Sequence, residues 1–230
     1  MKTKNLKNRK YSVEEVVREL KTYANKKNIV GMARFGIRGK NILGGPNIPT
    51  LRKISKRIGI DHKLALGLWK SGIHEAKILC SYIDDPRLVT SAQMDAWVKD
   101  FESWDICDQV CSNLFDKTEF VLDKINKWTK DEREFVRRAG FVLMATSAVH
   151  NKKVSNKFFV NFFPLLEKYS IDERNFVKKA VNWAIRQIGK RNEVLRKKAI
   201  IFSKKLLKID SKSAKWIASD AIRELLRHVF

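Results

Sequence analysis

"DEREFVRRA" (131–139) returns as "DERNFVKKA" (172–180), an offset of 41 residues. A period of about 40–47 residues marks arrays of helix pairs, in which each pair stacks on the next and the inner helices line one extended surface. The stretches 73–86 and 211–226 fit as degenerate or capping copies. The expectation is a single helical repeat domain over residues 1–230, with residues 1–10 as a basic tail. Residues shared by the copies read as scaffold, and residues that differ read as local requirements. In the alignment Arg138 stands against Lys179 and Val142 against Trp183. Both copies put a cation beside a small residue, which points to a basic inner surface, and Trp183 is the departure.

Around the repeat, helix signals dominate. "SVEE" (12–15) has the pattern of a capping box, Ser12 with Glu15 three residues on, and opens a run to about Lys27. Pro49 suits the first turn of a helix through Ile58, with Gly59 as its stop. Further helices are read over 61–72, 73–86, after Thr90, and over 104–115, 131–149, 155–169, 172–189, 192–207 and 211–227. Alternating β-branched runs are missing, and 10 Gly with 4 Pro leave little loop. The fold class is therefore all-α: a HEAT-like α-solenoid of stacked antiparallel helix pairs with a concave basic surface. The irregular stretch "GMARFGIRGKNILGGPN" (31–47) holds five glycines and several cations. It lacks the Gly-Lys-Ser/Thr ending of a nucleotide-binding loop. Two readings stay open for it, a phosphate-contacting loop and a mobile surface connection.

Composition bounds the partners. Lys and Arg number 48 against 25 Asp and Glu, a net charge of +23. Such an excess opposes compactness and is retained where it binds a polyanion, nucleic acid first and an anionic membrane surface second. No stretch approaches the eighteen or so apolar residues of a membrane span. The most apolar run, "AGFVLMATSAV" (139–149), reads as a buried helix. Cys80, Cys107 and Cys111 show no disulfide pattern, and the basic N-terminus lacks the apolar core of a secretory signal. A reducing, cytoplasmic setting is therefore expected, nucleoid-associated when bound to DNA. The four histidines are scattered and no metal-ligand spacing occurs, so neither a metal nor another cofactor is expected.

"SWDICDQV" (103–110) places Trp104 and Asp108 four residues apart, one turn of a helix on one face. On spacing alone, Ser103 or Asp105 caps a helix, Trp104 packs in the core, and Asp108 is a first-turn carboxylate favoured by the helix dipole. A functional reading needs a cation and a second aromatic wall. Arg138 and Trp183, from the repeated helices, are the candidates.

"SWDICDQV", "FVRRAGFVLMA" and "FVKKAVNWAIRQIGKRN", in that order, resemble the DNA alkylation repair glycosylases of the AlkD type, from "ARFG" (33–36) to "SDAIRELL" (219–226). The resemblance implies an enzyme that excises cationic N3- and N7-alkylated purines from duplex DNA, with the damaged base left stacked. It implies a catalytic cluster of Trp104, Asp108, Arg138 and Trp183. Phe35 and Asn47 fall where the family carries DNA-contacting residues; there the family can have tyrosine and glutamine. A cationic groove with Arg137, Lys179, Arg186, Lys190 and Arg191 would supply affinity. The expected partner is alkylated double-stranded DNA, with no membrane, and the expected state is a monomer. In the chemistry implied, Asp108 stabilises an oxocarbenium-like sugar, the two indoles flank it, and Arg138 holds a phosphate and keeps Asp108 ionised. The alternative is a non-catalytic HEAT-repeat protein that recognises damaged or branched DNA. A protein-interaction scaffold is a third reading, which accounts poorly for +23.

Overall fold

A computed structural model describes residues 9–227. Residues 1–8 of the expected tail, and His228, lie outside them. The described residues contain helices and no strand. The α-helices are α1 (Val13–Thr22), α2 (Lys26–Arg34), α3 (Ile48–Ile58), α4 (His62–Lys70), α5 (His74–Ile83), α6 (Ser91–Trp97), α7 (Trp104–Asn113), α8 (Val121–Trp128), α9 (Glu134–His150), α10 (Asn156–Val160), α11 (Phe163–Tyr169), α12 (Asn175–Gly189), α13 (Glu193–Leu206) and α14 (Lys212–Arg227). Contacts gather the chain into two compact units, Met1–Met94 and Asp95–Phe230. Among the described residues no helix is long and apolar enough to cross a membrane.

In the first unit the local signals act as read, with one break. Ser12 accepts from the Glu15 amide and Glu15 accepts from the Ser12 amide, closing the capping box of α1. The helix stops at Thr22 because Asn25 starts another, its side chain accepting from the Lys27 and Asn28 amides. Thus α2 absorbs residues 31–34 of the irregular stretch. Pro49 lies in the first turn of α3, and Gly59, at φ 80°, ends it in a conformation that glycine adopts without steric cost.

The rest of the irregular stretch is tied down. Glu75, 3% exposed on α5, accepts from the amides of Leu43 (3.0 Å) and Gly44 (2.9 Å). The Leu43 carbonyl takes the Asn25 amide, and the Asn28 side chain donates to the Gly44 carbonyl, each at 2.8 Å. A carboxylate of the protein thus occupies the amides of Leu43 and Gly44, which closes those two to a phosphate.

In the second unit α7, α9, α12 and α14 pack side by side. The Cys107 and Cys111 thiols lie 3.8 and 3.9 Å from the carbonyls of Phe135 and Ala139, so α7 and α9 run parallel. Asn182 donates to the Ile217 carbonyl (3.1 Å) and Arg186 to Glu224 (3.2 Å), which sets α12 parallel to α14. Against these inner helices pack α8 on α9, α11 on α12, and α13 on α12 and α14. The connections 129–133, 170–174 and 207–211 are short, so α8/α9, α11/α12 and α13/α14 are antiparallel pairs. Gly140 permits a close approach of α8 to α9: a Cβ there would meet the Thr129 backbone nitrogen at 2.8 Å. The sequence reading takes 155–169 as one helix, whereas the structure divides it into α10 and α11. The break follows from Pro164, which cannot continue α10 and sits in the first turn of α11. Helix α8 is an addition to the elements read from the sequence.

The repeated Asp-Glu-Arg is a clasp ahead of α9 and of α12. Asp131 accepts from the Arg133 amide (2.9 Å) and takes its guanidinium through both oxygens. Asp172 does the same with Arg174. In the first unit Asp85 and Arg87 form the same clasp. Each fixes the turn through a backbone bond and a bidentate charge pair. Ties between repeats reinforce it. Arg174 donates to the Glu132 carbonyl (2.5 Å), Glu134 accepts from the Phe176 amide (3.3 Å), and Glu173 accepts from the Ser213 amide (3.1 Å).

Candidate active site and nucleic-acid interface

Ser103 stands at the N-cap position of α7, but its hydroxyl donates to Asp105 (2.6 Å) instead of capping, and Asp105 accepts from the Ile106 amide (3.0 Å). The cap position falls to Ser103, and Asp105 holds the first turn. One turn further on, Asp108 lies on the same face as Trp104, and both are half-buried.

From α9, Arg138 reaches Asp108 with two parallel bonds, Nε to Oδ1 at 3.0 Å and Nη2 to Oδ2 at 2.8 Å. Its remaining arm, Nη1, donates to the Phe176 carbonyl on α12 at 2.6 Å. One guanidinium therefore joins three neighbouring inner helices. The Arg138 side chain is 6% exposed and that of Asp108 16%. Burial pushes the Asp108 carboxyl above its usual value, and the Arg138 charge pulls against it. Burial works against the Arg138 charge too, but Asp108 raises its pKa on balance. Bidentate pairing with a guanidinium that is always protonated favours the ionised form of Asp108 against that burial.

Trp183 lies on α12, seven residues after Phe176 and so on the same stripe of the helix, about 10 Å along its axis. It is half-buried. The four residues expected to form the catalytic cluster thus sit on three adjoining helices, with a direct bond between Asp108 and Arg138. The sequence reading aims Arg138 at a phosphate. In the structure its fork faces Asp108 and its third arm a carbonyl, so its role here is to position the carboxylate.

The expected DNA-contacting cations divide by what already holds them. Lys179 is exposed. Arg137 pairs with Asp172 (2.7 Å) and lies over the Tyr169 ring. Arg186 and Lys190 both reach Glu224. Arg191 donates to the carbonyls of Ala148 and Val154, each at 3.0 Å, and lies over Phe159, so it ties the ends of two repeats together. Sequence spacing misses the acids that engage these cations, Asp172 and Glu224. For Asp172 a signal exists in the repeated Asp-x-Arg; for Glu224 there is none, because its partners lie more than thirty positions away.

In the first unit, Phe35 is the C-cap residue of α2 and is 73% exposed. Asn47 caps α3, its Oδ1 accepting from the Thr50 amide (3.1 Å) and hydroxyl (2.9 Å). Cys80, Cys107 and Cys111 are free and buried. Burial pushes the Cys111 thiol well above its usual value, which makes it unreactive. Among the described residues no group of three or more His, Cys, Asp and Glu side chains is placed to hold a metal ion.

No curated protein matches the sequence. A solved structure described as "A new family of proteins related to the HEAT-like repeat DNA glycosylases with affinity for branched DNA structures" superposes with a TM-score of 0.77. It covers 94% of this chain and 96% of that chain at 17% identity, a likeness that shows the all-α HEAT-like fold. The model of the DNA alkylation repair enzyme family matches residues 16–225, and this chain belongs to that family.

Proposed function

We propose that the protein is a DNA glycosylase that hydrolyses the N-glycosidic bond of cationic N3- or N7-alkylated purines in duplex DNA. The observation that carries the reading is the bidentate Asp108–Arg138 pair with Trp104 one turn away. An alkylated purine already bears a positive charge. When the bond from C1′ to the base nitrogen breaks, its electron pair neutralises the base, and the positive charge passes to the deoxyribose. A carboxylate beside that centre stabilises it, and it can take a proton from the water that attacks C1′. Each Asp108 oxygen accepts one bond from Arg138 and keeps a second lone pair for that task. The faces of Trp104 and Trp183 favour the same developing cation. Arg138 holds the carboxylate ionised and in one orientation. No general acid is required, because the leaving base departs neutral.

The test is release of 7-methylguanine from methylated duplex DNA by the wild type and by Asp108→Asn. The expected result is release by the wild type and its loss in the variant, with binding to the same duplex retained. Excision surviving intact in Asp108→Asn overturns the role of Asp108.

A second reading is a binding protein for damaged or branched DNA that does not cut. Arg138 favours it, since the carboxylate charge is already offset at 2.8 Å. It requires salt-dependent DNA binding without base release by the wild type.

A further inference from the structure

Six tryptophans occur in the chain, and burial sorts them. Trp69, Trp97 and Trp128 are 5%, 4% and 2% exposed and belong to the core. Trp104 and Trp183 are half-buried in the candidate site. Trp216, on α14, is 41% exposed and belongs to neither. We propose that Trp216, with Lys178 and Lys179, is a stacking platform for an unpaired base of a DNA strand. This rests on the DNA-binding part of the reading above, not on excision.

The position follows from the packing of α12 and α14. The bonds from Asn182 to the Ile217 carbonyl and from Arg186 to Glu224 hold the two helices parallel and in register. Lys178 Nζ lies 5.4 Å from the centre of the Trp216 ring. The next residue, Lys179, is exposed on α12, and Lys212 and Lys215 are exposed on α14, one of them a turn before Trp216 and the other its chain neighbour. An exposed indole beside an ammonium group matches what single-stranded nucleic acid presents, a flat base between phosphates. In a duplex each base is already stacked on its neighbours, so an exposed indole has no base to stack on there. A protein partner fits poorly, since lysine is depleted at the core of protein interfaces. A free cation fits poorly as well, because Lys178 already stands over the ring.

Asp220, one turn after Trp216, repeats the spacing of Trp104 and Asp108. Its setting differs in its partners: Arg186 lies 3.6 Å away and the exposed Arg223 also pairs with it, whereas Asp108 is held by one buried guanidinium.

The experiment measures binding of a short oligothymidylate, a blunt duplex, and the same duplex with an unpaired flap, at one salt concentration. Wild type, Trp216→Ala, Trp216→Phe and Lys178→Ala are compared. Trp216→Ala is expected to weaken the oligothymidylate and the flap duplex by about tenfold and the blunt duplex by less than about twofold. Trp216→Phe, which keeps a ring, is expected to retain most of the affinity. Equal losses on all three DNAs, or no loss on oligothymidylate, overturn the platform. A wild type that binds the blunt duplex but not oligothymidylate also overturns it and leaves the duplex reading standing. A wild type that binds no DNA removes both. If Trp216→Ala fails to fold, the comparison passes to Lys178→Ala and Trp216→Phe, where a loss confined to unpaired DNA with Lys178→Ala is required.

Discussion

Arg138→Leu removes the donor that joins three helices and leaves Asp108 as a carboxylate with no cation at bonding distance and a side chain only 16% exposed. Breaking a buried pair from one side costs about 3–5 kcal/mol, and the residual exposure of Asp108 places the cost at about 3. In a chain of this size each kcal/mol corresponds to roughly 2–4 °C, so the midpoint should fall by about 6–12 °C. Asp108→Leu should cost at least as much, since Arg138, 6% exposed, would keep only the Phe176 carbonyl. Replacing both with leucine removes both charges, and such exchanges are often neutral or stabilising. The double variant should therefore be less destabilised than the sum of the singles by at least about 3 kcal/mol. Urea denaturation of the four proteins at pH 7 measures this coupling. With Arg138 gone, burial and the neighbouring Asp105 charge act on Asp108 unopposed, and its carboxyl moves further up from its already raised value. A raised folded-state pKa means the native state binds the proton first, so the deficit of Arg138→Leu should narrow as pH falls. A coupling below about 0.5 kcal/mol, within the scatter of independent sites, would refute the argument that the pair holds the site together.

Burial works against the Asp172 charge, but Arg174 and Arg137 hold its carboxyl down to about 2. Its stabilisation is therefore present above the ordinary carboxylate value and lost as pH falls through about 2, a difference of about 2.4 kcal/mol at full weight and about half that after solvent screening. Asp172→Asn should lower stability at pH 7 and flatten the loss between about pH 5 and 2, measured by thermal denaturation across that range; an unchanged acid limb would count against the clasp. Gly140→Ala places a Cβ 2.8 Å from the Thr129 backbone nitrogen, so α8 and α9 must part. A cost of about 1–3 kcal/mol is expected, and a neutral or stabilising result in urea denaturation would contradict the close approach.

Much of the helical framework is legible because its signals are local. Ser12 and Glu15, Pro49 and Gly59 act on backbone groups within a few residues, and each does what its spacing implies. The break at Asn25 escapes the pattern because the apolar spacing runs across it, although asparagine is a strong cap. Helix α8 escapes too, although Val121, Ile125 and Trp128 carry helical spacing. The repeat at 131 and 172 marks two of the inner helices, α9 and α12, and the clasp explains why it is so well kept.

The class of the fold, the helix-pair period, and the placing of Trp104 and Asp108 on one face all depend on neighbours along the chain, and the sequence alone suffices for them. Which side chains meet is a matter of tertiary packing. Arg138 and Lys179 occupy equivalent positions, but Arg138 is buried against Asp108, whereas Lys179 is exposed. Arg137, Arg186 and Lys190 read as free cations until Asp172 and Glu224 are seen beside them. Such pairings join residues thirty or more positions apart, through the register of parallel helices, and no periodicity within one helix encodes that register.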